Sequence, residues 1–285
     1  MSSGQLTTGY DRVTSSPEHG DFELAALSDV GCARPNNEDF CAHFIASPTE
    51  AVFAVADGVG GYDGGEVASQ MAVEITLSAY RESPPSWGPA KRLYRAVQRA
   101  NIEIHNRALA VPELRRMATT LTAAVVAGGI LNAVHIGDCR LYLLRGGRIQ
   151  QLTKDHTVIG ERVRLGLISE RDARQHPERS ALSRCLGREL IASLDRLTIA
   201  LRANDKLILC TDGLHGVLED RELDHLSRGL LPADACRRLI EEANGRGAPD
   251  NVTVAVLIAR NGCAAGNLPA AGWRQRLRGV LRWGR

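Results

Sequence analysis

Lysine is almost missing from this chain: Lys91, Lys154 and Lys206 are the only ones among 35 basic residues. The arginines that replace it are spread along the sequence, so the bias reads as codon usage and not as a binding surface. A net charge of +2 excludes a protein that coats itself in nucleic acid. Seven cysteines occur without a C-x-x-C pair, which argues against a zinc knuckle and against a disulfide framework. A reducing, cytoplasmic setting fits that usage. Residues 1–20 hold no apolar segment resembling a signal peptide, and no stretch approaches membrane-spanning length.

Several nucleotide and hydrolase motifs are missing as well. There is no Gly-Lys-Ser/Thr, hence no P-loop, and no G-x-S-x-G elbow for a serine nucleophile. The glycine-rich stretch from Gly58 fails the dinucleotide pattern because Asp63 takes its sixth position. No D-x-D-x-D-G calcium loop is present. Cys139 and Arg145 match the C-x5-R spacing of cysteine phosphatases, but the residues between them alternate as a strand. A strand commits to its ladder the amides that a phosphate loop would need, so the match is accidental.

What is present is a series of short apolar runs. Strands are expected near 22–29, 39–46, 51–57, 119–127, 131–137, 140–145, 148–152, 193–200, 206–211 and 251–259. Helices are expected near 65–82, 89–110, 219–228 and 233–244. The run from Val252 to Ile258 is apolar on both faces, so one face needs a second sheet and the other needs helices. Gly146-Gly147 marks a hairpin and favours antiparallel pairing. The expected fold is therefore α+β: two stacked antiparallel β-sheets flanked by helices on both sides, an α-β-β-α sandwich. Residues 1–20 read as a disordered extension, 21–260 as the domain, 157–187 as a flap over one end of it, and 261–285 as a linker and basic tail. Within the flap, Ser169 to Asp172 reads as a capping box.

Four aspartates stand at the edges of four of these runs: Asp57, Asp138, Asp212 and Asp250. Carboxylates gathered at the mouths of buried strands repel one another and call for a cation. Gly58, Gly137 and Gly213 adjoin three of them, allowing close backbone approach to an ion. An oxygen-only set favours the hard ions Mg²⁺ or Mn²⁺ over Zn²⁺. Glu38 and Asp39 precede another strand and belong at the same edge. Arg34, just before them, is suited to clamp a phosphate through paired hydrogen bonds.

In order along the chain come Ser28-Asp-Val-Gly-x-x-Arg-x-x-Asn-Glu-Asp39, Ala56-Asp-Gly-Val-Gly-Gly61 with Gly65-Glu-Val-Ala-Ser69, Met117-Ala-Thr-Thr120, Gly137-Asp-Cys-Arg140, Leu152-Thr-Lys-Asp-His156, Thr211-Asp-Gly-Leu214 and Asp250-Asn-Val-Thr253. Across residues 22–260 this resembles the metal-dependent protein phosphatases of the PPM family, type 2C, in their bacterial form. The resemblance implies a two-metal centre in which Asp57 bridges both ions and the Gly58 carbonyl binds one, while Asp212 and Asp250 hold the other. Glu38 and Asp39 would complete the set directly or through waters, Asp138 would bind a third, weaker ion, and Asn251 would support the ligands from behind.

The implied reaction is hydrolysis of phosphoserine and phosphothreonine in proteins by a metal-activated water, opposing a bacterial Ser/Thr kinase. Arg34, Asp57 and Asp212 would carry it. Relatives carry a histidine where this chain has Tyr62 or Val59, so no side chain is assigned as the general acid. Cys139 stands where serine is common, a change of little effect if its role is packing, but otherwise an oxidation site. His215 is expected in a surface loop, with an approach to the metals as the alternative, and His156 in a structural hydrogen bond. The tail from Trp273 to Arg285 has no acid and puts four arginines on one helical face, a pattern for a membrane surface or a partner protein, with a frayed solvated tail as the alternative. Three other readings stay open: a catalytically silent phosphatase-like domain, a small-molecule phosphoesterase, and a structural metal module.

Overall fold

The computed structural model describes residues 7–8, 14–15, 20–59, 64–174, 176–178 and 180–262. Two six-stranded antiparallel sheets form its centre. The first has the order β1 (Thr7–Thr8), β4 (Asp39–Ser47), β5 (Glu50–Asp57), β6 (Leu121–Ala127), β7 (Ile130–Ile136) and β10 (Asp195–Ala200). The second runs β2 (Thr14–Ser15), β3 (Phe22–Asp29), β12 (Val252–Ala259), β11 (Lys206–Cys210), β8 (Arg140–Arg145) and β9 (Arg148–Gln151). The N-terminal extension contributes the two shortest strands. Apart from Gly20 its remaining residues, like Tyr62 and the basic tail, lie outside the described residues.

Side-chain alternation divides the core into three layers. Val52, Ala54 and Ala56 of β5 face the helices α1 (Gly65–Glu82) and α2 (Pro89–Ala110). Ala51, Phe53 and Val55 of the same strand face the second sheet and meet Leu141, Leu207 and Leu257. On β12 the split is the expected one. Val252, Val254 and Val256 pack under α6 (Asp220–Ser227) and α7 (Pro232–Gly245), while Ala255 and Leu257 point between the sheets. Burying Phe53 fully contributes about 1.5–3 kcal/mol. Helix α2 starts on Pro89, whose missing N–H costs nothing at a first turn, and stops at Val111, which precedes Pro112 and is extended. Its buried stripe is Leu93, Ala96, Val97, Ala100 and Ile104, spaced for one helical face.

Two boundaries differ from expectation for reasons that matter at the site. Strand β6 begins at Leu121 and not at 119, because Thr119 and Thr120 turn their hydroxyls to the backbone of Asp57. A four-residue helix, α5 (Asp212–His215), follows β11 directly. The flap region holds α3 (Val158–Arg164), capped by Thr157 accepting from the Gly160 amide at 2.9 Å, and α4 (Glu170–Arg174), before which Ser169 accepts from the Asp172 amide at 3.1 Å. No helix among the described residues is long and apolar enough to cross a membrane.

Candidate active site

Antiparallel register brings the strand ends carrying acids to one edge of the sandwich. Asp39, first in β4, lies directly opposite Asp57, last in β5. In the other sheet Cys210, just before Thr211 and Asp212, pairs with both Val254 and Arg140, while Asp29 pairs with Val252, just after Asp250 and Asn251. Asp138 sits in the turn between β7 and β8.

The backbone under Asp57 is tightly held. Its amide donates to Thr120 Oγ1 at 3.0 Å, and its carbonyl accepts from the Thr120 amide at 2.9 Å and from Thr119 Oγ1 at 2.7 Å. The next residue, Gly58, donates its amide to the Glu38 carbonyl at 3.1 Å. A Cβ at Gly58 would meet the Gly65 backbone at 2.5 Å, so only glycine allows α1 to begin this close to the strand end. Gly213 is under still stronger constraint: a Cβ there would lie 1.9 Å from the Asn251 carbonyl oxygen. Helix α5 can therefore rest on the Asp250–Asn251 backbone only with glycine at this point.

Asn251 organises the loop that carries Arg34. Its Oδ1 accepts from the Glu38 amide at 2.8 Å, and its Nδ2 donates to the carbonyls of Val30 at 2.8 Å and Asn36 at 2.9 Å. Arg34 itself is exposed and donates to Asp250 Oδ2 at 2.8 Å. The hydrogen bond to Asp250, and then its charge, raises the Arg34 pKa. Glu38 lies with its carboxylate against Gly65 at the N-terminal end of α1, where unpaired amides favour negative charge.

The carboxyl groups are held at an electrostatic cost. Burial raises the pKa of Asp39 well above the usual carboxylate range, although Thr253 and Thr211 donate hydrogen bonds to it. Asp57 is pushed up by burial and then by the charges of Asp39, Asp212, Asp138 and Asp250. For Asp138 the causes are burial and then Asp212. Asp212 rises to about 6, through burial first and Asp250 second, tempered by a hydrogen bond shared with Asp57. Burial also raises Glu38. Every predicted site residue, Arg34, Glu38, Asp39, Asp57, Gly58, Asp138, Asp212, Asp250 and Asn251, thus belongs to this edge.

Among the described residues, no three acidic, cysteine or histidine side chains already converge as a finished coordination shell. The carboxyls spend their oxygens on one another, on Arg34 and on threonine hydroxyls. The donor chemistry nevertheless fits divalent ions. It is oxygen-only, its members repel one another, and two of them share a hydrogen bond that requires a proton a cation would displace.

Three features around the site are decided only by the structure. His215 is not in a surface loop: it closes α5, half-buried, with Nε2 3.0 Å from the Asp138 carbonyl. Burial lowers its pKa to about 3, so it is neutral at pH 7. Cys139 is not an oxidation site, because it is fully buried against Thr120 Oγ1 at 3.1 Å and burial raises its thiol pKa. Arg140 grips Asp155 through Nε and Nη2, with Nη2 to Oδ2 at 2.6 Å. Burial would raise Asp155, but this grip holds its carboxyl below the ordinary value. His156 has the structural role expected, accepting at Nδ1 from the Gly137 amide at 3.1 Å and lying 3.3 Å from Asp195 at its other nitrogen.

The protein phosphatase 2C profile matches residues 34–245. The serine/threonine protein phosphatase PstP of Mycobacterium tuberculosis is 40% identical over 236 residues, covering 82% of this chain and 44% of that protein. The chain thus spans less than half the length of this relative. The serine/threonine phosphatase stp of Listeria innocua is 33% identical over 252 residues, covering 85% of this chain and 96% of its own length. A solved catalytic domain of PstP in complex with two manganese ions is 37% identical, with a TM-score of 0.72, covering 83% of this chain and 97% of that one. With motif order, sandwich topology and acidic edge all in agreement, this chain belongs to the protein phosphatase 2C family.

Proposed function

We propose that this chain hydrolyses phosphoserine and phosphothreonine in proteins, using two Mg²⁺ or Mn²⁺ ions, with a third at Asp138. Asp57, the Gly58 carbonyl, Asp212 and Asp250 hold the pair, and Glu38 and Asp39 complete the set directly or through water. One observation carries the reading. Asp39, Asp57, Asp138 and Asp212 are drawn together at one edge with pKa values raised by burial and by one another. A fold retains such unfavourable crowding when the assembled charge has a use.

Bound ions supply Lewis-acid charge to the phosphoryl group and a nucleophilic water near neutral pH. The chain's own residues do the rest. Arg34 uses one donor on Asp250 and keeps others open to solvent, placed to bind non-bridging phosphoryl oxygens and absorb their charge. Asn251 locks the loop from Val30 to Glu38, so that Arg34 is presented on a fixed base. Neutral His215 is engaged at Nε2 by the Asp138 carbonyl and so does not serve as the acid for the leaving alkoxide. The flap at 157–187 shapes substrate choice, and the enzyme acts in the cytoplasm against a Ser/Thr kinase.

Phosphopeptide hydrolysis tests this with Mn²⁺, with EDTA, and in Asp57→Asn and Asp212→Asn. Losing a partner that merely supports a metal ligand costs about 10–100-fold. The ligand variants are therefore expected to lose more than about 100-fold in kcat/KM. Full activity in either variant, or in EDTA, ends the metal-centre reading. A wild type inactive on every phosphopeptide points instead to a silent domain.

A further inference from the structure

Beyond the acidic edge lies a site of opposite character. At the C-terminal end of α2 a cleft of about 330 Å³ is lined by Arg115, Arg116, Arg188 and His105 beside the exposed Leu109, with the buried Met117 beneath. Among the described residues no acid lines it, and Glu103, Glu113 and Glu189, the acids nearest in sequence to its lining, stay outside. Arg115 and Arg188 are exposed, and among the described residues no carboxylate pairs with either. Leu109 is 75% exposed, which leaves an apolar shelf beside the cations.

The cleft is built and not improvised. Its far wall is Gly187–Arg188, pinned to α2 twice. The Gly187 amide donates to Asn101 Oδ1 at 2.9 Å, and His105 Nδ1 donates to the Gly187 carbonyl at 3.0 Å. Its floor leads to the acidic edge within two residues. From Met117 the chain reaches Thr119, which pairs with Leu186 and donates its hydroxyl to the Asp57 carbonyl. A cationic, partly apolar groove is thus coupled rigidly to the acidic edge.

We propose that this cleft binds acidic side chains of the phosphoprotein substrate a few residues from the phosphoresidue, making it a specificity subsite. The inference rests on the protein phosphatase reading and adds a sequence preference to it. Charge complementarity selects the occupant: Arg115 and Arg188, paired with no carboxylate among the described residues, favour carboxylates, and the exposed Leu109 suits the aliphatic stems of glutamates.

The test compares two phosphothreonine peptides of equal length, flanked by glutamates or by glutamines. Wild type and the double variant Arg115→Ala/Arg188→Ala are assayed on both, with p-nitrophenyl phosphate as a small substrate that cannot reach the cleft. Two exposed ion pairs predict a preference of about threefold to tenfold in kcat/KM for the glutamate peptide, declining with salt. In the double variant the preference disappears while p-nitrophenyl phosphate turnover is unchanged. No preference in the wild type, or a preference that survives the double substitution, overturns the proposal. Anisotropy of an unphosphorylated glutamate peptide in EDTA separates docking from catalysis. Binding that weakens in the double variant supports the cleft even if hydrolysis fails. Equal hydrolysis of both peptides without binding rejects the cleft and leaves the phosphatase. Binding of single-stranded RNA but not of acidic peptide also overturns it.

Discussion

Strands β8 and β11 carry buried charge at both of their ends and treat it in opposite ways. At one end Arg145 grips Asp205 with Nε and Nη2, and Asp205 also accepts from the Arg202 amide at 2.7 Å. That carboxylate is 2% exposed yet fully engaged. At the other end, past Cys210 and beside Arg140, Asp212 faces Asp57 and Asp250, and Arg140 is already committed to Asp155. A closed pair holds structure, because each charge answers another. An unanswered cluster destabilises the fold by itself and makes sense as half of an interaction whose other half arrives from solvent.

The comparison can be broken at its closed end first. Arg145→Met leaves Asp205 buried without its cation and should cost about 3–5 kcal/mol in urea unfolding, with the activity of the folded fraction unchanged. A loss below about 1 kcal/mol would show that the pair is not holding this end together.

At the open end the sign reverses. The Asp212 pKa is raised from 3.8 to about 6, so the folded state binds the extra proton, and stability falls as pH climbs through that window. In EDTA, Asp212→Asn should therefore gain about 2–3 kcal/mol at pH 7.5 and almost nothing at pH 4. His43 and His135, lowered by burial to about 4, and His215, lowered to about 3, act in the other direction, losing stability as pH drops below 6.5. The difference between variant and wild type removes their contribution. An equal gain at both pH values sinks the account, and added Mn²⁺ should stabilise the wild type more than the variant.

Asn251→Ala sharpens the contrast more gently. Freeing the loop from Val30 to Glu38 should weaken Mn²⁺ binding by about 10–100-fold in calorimetry, since the ligands would remain but their support would not. Unaltered affinity would mean that the loop holds itself. Smallest of all is Cys139→Ser: buried against Thr120, the residue serves in packing, so loss of stability near 1 kcal/mol with full activity is expected.

Much of this was legible before any coordinates. Strand β3 over Phe22–Asp29 and helices α1 and α2 emerged with the boundaries expected, because apolar periodicity and Pro89 act locally. The acids stood out because each sits where an apolar run ends. What remained hidden depends on partners distant in the chain. Thr119 left its strand for Asp57, 62 residues away, and His215 turned inward to Asp138, 77 residues away. Cys139 was open to packing or oxidation until burial decided for packing, and the arginines of the cleft looked like codon usage because 115 and 188 are far apart in sequence.

By itself, then, the order of residues determined the layers, the strand ends and the kinds of atom available at them, since alternation and turn chemistry are short-range. Only the tertiary structure decided which charges are answered and which are left open. That depends on register and burial, and a carboxylate takes its character from the neighbours and the water around it in the folded chain.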